Sequence, residues 1–281
     1  MKLTLFRVAN VAMVAGLIGC PDTKPARIDL SQPPAAVFTK SFFQLNARAV
    51  NAAGVTVPDS VMTYSAVPTD VLRVSAAGEA SCEKSGDATV TMASSGLTAV
   101  ATVKCRLVSS VKSKKELRVI IGADPGDLAV VVSGANGKKM DDVPLTFEGA
   151  SPMASIDQAG RVKGIEIGKG TVTITAGGAT SQTELEVVEK VKSEPLAISD
   201  GSSTTYTLQT GKYLLEVQAK AGSNGVDIVW VGAPACPNQP ERQEHKVYCD
   251  VANTATFTIS NPSLLGMGAN AVGFMNLYKT P

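Results

Sequence analysis

The chain predicts an all-β protein of three sandwiches in a row. Three observations carry that prediction. An internal pattern recurs about once per domain length, short alternating runs are separated by turn chemistry, and no stretch holds 3.6-residue apolar periodicity over a helical length. With 281 residues there is room for two or three cores at roughly 100–200 residues each. A hydrophobic fraction of 44% argues against disorder.

The amino terminus comes first and stands apart. Met1-Lys2-Leu3-Thr4-Leu5-Phe6-Arg7 is followed by a mostly apolar run from Val8 to Ile18, interrupted by Asn10, and then by Gly19-Cys20. A basic start, about eleven apolar residues and a small residue before the break describe a secretory signal over residues 1–19. The run is too short for a transmembrane helix, which needs about 20 apolar residues. Leu17-Ile18-Gly19-Cys20 resembles the lipobox of bacterial lipoproteins. That resemblance implies cleavage before Cys20, lipidation of its sulfur and membrane lipid as a partner. One acyl chain anchors only marginally, whereas several hold a protein durably. Residues 20–26, with Pro21 and Pro25, read as a polar tether.

Two copies of one strand pattern follow. Val74 through Ala80 matches Ile156 through Val162, and Gly86 through Met92 matches Gly168 through Ile174. Both pairs lie 82 positions apart, as Gly78 to Gly160 shows. Upstream, Gly54, Asp59 and Thr63-Tyr64 align with Gly137, Asp142 and Thr146-Phe147 at a spacing of 83, a difference that one loop residue explains. Thr89-Val90-Thr91-Met92 and Thr171-Val172-Thr173-Ile174 have the period-2 spacing of half-buried strands. Leu97, Ala99, Ala101 and Val103 share a face in the first copy, as Thr183, Leu185 and Val187 do in the second. Asn51-Ala52-Ala53-Gly54 and Ala135-Asn136-Gly137 supply turns. A unit of about 80 residues built this way is a β-sandwich.

These residues resemble the bacterial immunoglobulin-like domains of group 2. A strand end before a Gly turn, then a Gly leading into a Thr-Val-Thr strand, carries the likeness. The second copy shows it in Ala154-Ser155-Ile156-Asp157, Gly160, Val162 and Gly168 through Thr175, and the first in Val71 through Ser75, Gly78 and Gly86 through Met92. Tyr64 and Phe147 stand where that family often has Trp. The resemblance covers residues 27–108 and 112–191 and implies spacer or adhesive modules of a cell surface, with no shared catalytic residues to transfer.

Five cysteines then divide. Cys82 and Cys105 bracket two strands of the first copy, and their counterparts, Gly164 and Val187, are both non-cysteine, as a bonded pair predicts. Cys236 and Cys249 enclose the polar stretch Pro237 to Tyr248 and would pin it as a loop. Export favours two disulfides. Metal binding is the rival, but there is no Cys-x-x-Cys spacing and only one His.

At Ser193-Glu194-Pro195 the repeat stops, which sets residues 192–281 as a third, jelly-roll-like sandwich. Its strand candidates are Thr205–Leu208, Tyr213–Val217, Val226–Val231, Thr254–Ser260 and Ala271–Tyr278. Trp230 and Tyr248 are its candidate ligand-binding residues, because sugar-binding sandwiches stack an aromatic on a pyranose face. Trp230 shares a strand face with Val226 and Ile228, however, and the preferred reading places it in the core. His245, inside Glu241-Arg242-Gln243-Glu244-His245-Lys246, reads as a solvated surface residue. Asp124, Asp127, Asp141 and Asp142 could suggest calcium, but Asp124-Pro125-Gly126-Asp127 is first of all a turn. Lys112-Ser113-Lys114-Lys115 reads as an interdomain linker.

Function follows by class. Lys plus Arg (26) nearly cancel Asp plus Glu (25), which excludes bulk electrostatic attraction to nucleic acid. One His and no Gly-x-Ser-x-Gly elbow argue against a hydrolase. No catalytic set, metal or cofactor is expected. The expected protein is a lipid-anchored envelope component, at the outer membrane or cell surface, projecting a non-catalytic binding module toward a surface protein or polysaccharide. Carbohydrate binding by the terminal sandwich is the alternative.

Overall fold

A computed structural model describes residues 24–30, 34–262 and 269–281, so Cys20 and the signal expected over residues 1–19 lie outside the described residues. Those residues form strands, turns and loops, and no helix among them is long and apolar enough to cross a membrane. The chain separates into two compact units, 1–105 and 106–281.

The first unit holds one sandwich. Thr63–Val67, Gly86–Ser94 and Leu97–Cys105 form one sheet, while Phe43–Gln44, Glu79–Cys82 and Leu72–Val74 form the other. Arg27–Leu30 pairs with Ala47–Val50. Leu45, Leu72, Val90, Met92 and Val103 close the core between them.

The second unit opens with the same design. Thr146–Glu148, Gly168–Ala176 and the start of Ala179–Ile198 repeat the first sheet, and Gly126–Asp127, Arg161–Gly164 and Ala154–Ile156 repeat the second. Register is preserved as well as order. Val37 bridges Cys105 in parallel, and its counterpart Val119 pairs in parallel with Val187. Val172, Ile174, Leu185, Val162 and Leu128 are buried where Val90, Met92, Val103, Ala80 and Leu45 are buried in the first copy. Gly78 and Gly160 both sit in left-handed turns, φ near +80°, beneath the rings of Tyr64 and Phe147 respectively. A Cβ on Gly78 would lie 2.8 Å from Cζ of Tyr64. Strand Val108–Lys112 pairs with Val131–Gly134, and Thr183 Oγ1 donates to the Lys114 carbonyl at 2.6 Å and lies within hydrogen-bond distance, 2.9 Å, of the Ser113 hydroxyl. The run 112–115, expected as a linker, is therefore built into the second sandwich.

Both expected disulfides form. Cys82–Cys105 spans the two sheets of the first sandwich with its Cα atoms 5.7 Å apart. At the matching place in the second, the space is filled by Val187 against Gly164, where an added Cβ would lie 2.9 Å from Val187 Cγ1. The joint loss of the two cysteines thus has a packing reason: one position carries no side chain so that the other can carry a branched one.

The third sandwich is a jelly roll, but it is not set off by a linker. Ala179–Ile198 is one strand of 20 residues. Its first half pairs with Gly168–Ala176 and, in parallel, with Glu116–Ile120. Its second half pairs with Ala271–Thr280, with a register shift between Lys190 and Lys192. The resulting seven-stranded sheet continues through Gly211–Ala219 to Glu244–Val251. Against it lies a four-stranded sheet ordered Ser203–Leu208, Ala255–Ser260, Val226–Val231, Gln239–Arg242. Two antiparallel sheets interleaved in this order give jelly-roll connectivity. The proposed boundary residues Ser193-Glu194-Pro195 lie within the shared strand.

Replacing Cys82 and Cys105 together by Ala should lower the stability of the first sandwich by about 3 kcal/mol in the chain-entropy account, read by urea unfolding. A second measurement concerns packing alone. Gly164→Ala should destabilise the second sandwich by about 1–3 kcal/mol, with the first sandwich's transition unmoved.

Candidate functional site

Alternation along each strand decides which side chains reach solvent. In Val226–Val231, Val226, Ile228 and Trp230 are buried while Val229 and Val231 are exposed. Trp230 packs at 4.9 Å on Phe257, which stacks at 4.9 Å on Tyr206. These three rings are neighbours across three strands, Tyr206 opposite Phe257 and Phe257 opposite Trp230. Trp230 is a core residue, and its buried face cannot serve as a sugar platform.

Strand Glu244–Val251 alternates just as regularly, and this corrects the reading of His245. His245, Val247, Cys249 and Val251 are buried; Glu244, Lys246, Tyr248 and Asp250 are exposed. His245 is only 5% exposed, and its Nε2–H donates to the Val226 carbonyl at 2.6 Å. It is a buried strap between the two sheets, not a solvated residue. The polar stretch between Cys236 and Cys249 is also not a simple loop. It supplies edge strand Gln239–Arg242 to one sheet and begins edge strand Glu244–Val251 of the other. The Cys236–Cys249 bond, Cα atoms 4.9 Å apart, lies in the core between them.

Tyr248 points outward, 51% exposed, at the junction with the second sandwich. There the phenolic oxygen accepts a hydrogen bond from Arg118 Nη2 at 2.6 Å. Arg118 Nε donates to Glu186 Oε2, and its Nη1 donates to Glu216 Oε1, both at 2.8 Å. One guanidinium thus joins three strands beyond its own, from both sandwiches. Burial works against its charge, but Glu186, then Tyr248 and Glu216, outweigh this and hold Arg118 above its ordinary range. Beneath this cluster, Ile120 packs on the buried residues Val188, Leu214 and Tyr278. A cleft of about 380 Å³ opens above it, with Lys169, Glu116, Glu184 and Lys246 on its walls.

The expected site residues therefore separate. Tyr248 belongs to a charged junction, Trp230 to the core, and the four paired cysteines to the frame. Asp127 accepts from the Ala129 N–H at 2.7 Å, and Asp141 pairs with Lys139 at 2.7 Å. The sequence does not single out the junction cluster of Arg118, Glu186 and Glu216. Each is a lone charge between apolar neighbours, as in Leu117-Arg118-Val119, a pattern shared by any half-exposed strand.

A second outward feature lies on the same sheet. Phe274 is 65% exposed, with Val272 beside it at 45%. Across the ladder it is flanked by Pro195 on one side and Gln218 on the other, and Glu244 lies opposite Gln218.

No protein-family model matches this chain, and no curated protein matches it in sequence. Solved structures do show likeness. Domains 4 and 5 of the S-layer protein SbsC are 15% identical, with 58% of this chain and 98% of that one covered and a TM-score of 0.27. A longer piece of SbsC is 16% identical over 89% of this chain; the chain spans 40% of its length, at a TM-score of 0.29. Extracellular domains 3–5 of Drosophila OTK are 10% identical, covering 85% and 94%, at 0.25.

Two phenols report on the third sandwich. Burial first, then the hydrogen bond and charge of Glu194, push Tyr206 far above the ordinary tyrosine range. Burial and Glu216 raise Tyr278, while Arg118 opposes them. Their neutral forms stabilise the fold fully below an ordinary phenol value of about 10, and that contribution is lost as pH rises through the raised values. Alkaline titration followed by tyrosinate absorbance should show late-ionising phenols, one of which Tyr206→Phe removes. Separately, Arg118→Met should cost about 2 kcal/mol, because Glu186 and Glu216 lose their donor, and calorimetry should then resolve the two sandwiches of the second unit as separate transitions.

Proposed function

We propose that this protein is an exported, lipid-anchored and non-catalytic envelope component, in which two immunoglobulin-like sandwiches carry a jelly-roll binding module. The observation that carries this reading is the shared strand Ala179–Ile198. A hinge would let a terminal module wander, whereas a common sheet, locked further by Arg118, holds it in one orientation to the sandwich before it. Such coupling suits a module that must be presented rather than one that must open and close.

Two disulfides support an oxidising compartment outside the cytosol. The Leu17-Ile18-Gly19-Cys20 sequence supports anchoring, with lipid on Cys20 and residues 20–26 as the tether. The charged side chains gathered at the junction bond one another, which serves cohesion rather than chemistry on a substrate.

Cys20→Ala should abolish partitioning into the detergent phase and leave the signal unprocessed; unchanged partitioning would overturn the anchor. Presentation has its own measurement. Spin labels at Glu166 and Asn253, placed by cysteine substitution, should give one narrow distance distribution. Two glycines inserted after Val191 should broaden it, and an already broad distribution in the parent would sink the rigid-carrier reading.

A further inference from the structure

The outer face of the seven-stranded sheet is covered at one end and bare at the other. Near the junction, Leu214 and Tyr278 point outward yet are buried against Val188 and Ile120. Two residues earlier along the Ala271–Thr280 strand from Asn276, the same face presents Phe274 to solvent, and Val272 follows. The described residues leave most of this ring to solvent. With Val272, Pro195 and Ala197 exposed around it, the ring belongs to a contiguous apolar strip, and it is such contiguity that marks a contact site.

The surroundings of the ring define what it fits. Pro195 and Ala197 continue the apolar strip across the neighbouring strand. On the other side stand Gln218, Glu216, Glu244, Lys246 and Asn276, which with Phe274 line a shallow recess of about 440 Å³. Gln218 Nε2 donates to Glu244 Oε1 at 3.2 Å, which orients the amide, and Ser193 Oγ donates to Asn276 Oδ1 at 2.7 Å, which orients the second. An apolar ring bordered by fixed amides and carboxylates is complementary to a pyranose. The sugar's C–H face packs on the aromatic, while its rim of vicinal hydroxyls donates to carboxylate and amide oxygens and accepts from amide N–H groups. A recess of this volume is in the range of small-ligand sites. A stable protein partner would cover roughly 800 Å² on this side, far more than one Phe with a small flank offers.

We infer that the outer sheet face around Phe274 binds an uncharged polysaccharide, one pyranose stacking on Phe274 and its hydroxyls bonding Gln218, Glu244 and Asn276. This rests on the reading of the jelly roll as a binding module and names its ligand class. The face lies opposite the core side where Trp230 sits, and it is the face on which Tyr248 stands, next along its strand after Glu244 and Lys246.

The test uses the purified full chain with microcrystalline cellulose, insoluble chitin and soluble mixed-linkage β-glucan, by depletion and by affinity electrophoresis. At least one polysaccharide should retain the protein. Phe274→Ala should weaken retention at least tenfold with an unchanged melting transition, Phe274→Trp should preserve it, and Gln218→Ala should weaken it several-fold. Retention by none of the three, or retention indifferent to Phe274→Ala, overturns the assignment. So does a concentration-dependent dimer that Phe274→Ala abolishes, because the ring would then serve a second copy. None of these results touches the anchored-carrier reading, which is decided by detergent partitioning and label distances.

Discussion

A single strand, Ala179–Ile198, is the constraint on which the second unit depends. It closes one sandwich with its first half and opens the next with its second, so the two cores cannot rotate independently without breaking backbone pairing. The register shift at Lys190–Lys192 falls where the strand changes partners, leaving Val191 outward and 49% exposed. An irregularity of this kind, like a β-bulge, bends a strand and raises its local twist, and here it falls within one continuous seven-stranded sheet. Arg118 bonds across this junction, and Leu214 and Tyr278 pack there with Val188 and Ile120.

The repeat was legible because its physics is local. Period-2 runs, left-handed Gly turns at Gly78 and Gly160, and a small residue facing a large one all leave marks in one dimension. The pairing of Cys82 with Cys105 was legible for the same reason, through the Gly164–Val187 replacement. The fused boundary was not. Ser193-Glu194-Pro195 has linker composition, yet the second half of the long strand has one hydrogen-bonded neighbour among the described residues, Ala271–Thr280. Proline is tolerated on such an edge, where a missing N–H leaves no ladder bond unmade.

The site was less readable than the frame. His245 was hidden by charged neighbours, although Val247, Cys249 and Val251 continue its inward alternation. Trp230, the lone Trp of the sequence, is core, as its alternation with Val226 and Ile228 predicts, whereas in sequence Phe274 is one more apolar residue of a terminal strand. Which side of a strand faces a core depends on what packs there. Phe274 alternates with Gly273 and Met275, and only the tertiary structure shows that Met275 is buried and Phe274 is not.

The long strand also fixes how this molecule would carry mechanical load. A pull directed along Ala179–Ile198 would load the jelly roll against the sandwich before it through the strand that the two share. Ladder hydrogen bonds lie perpendicular to the strands, so that force shears the pairing from Glu189–Lys279 to Ile198–Ala271 as a group rather than peeling it bond by bond. Across the junction itself the tension runs through covalent backbone.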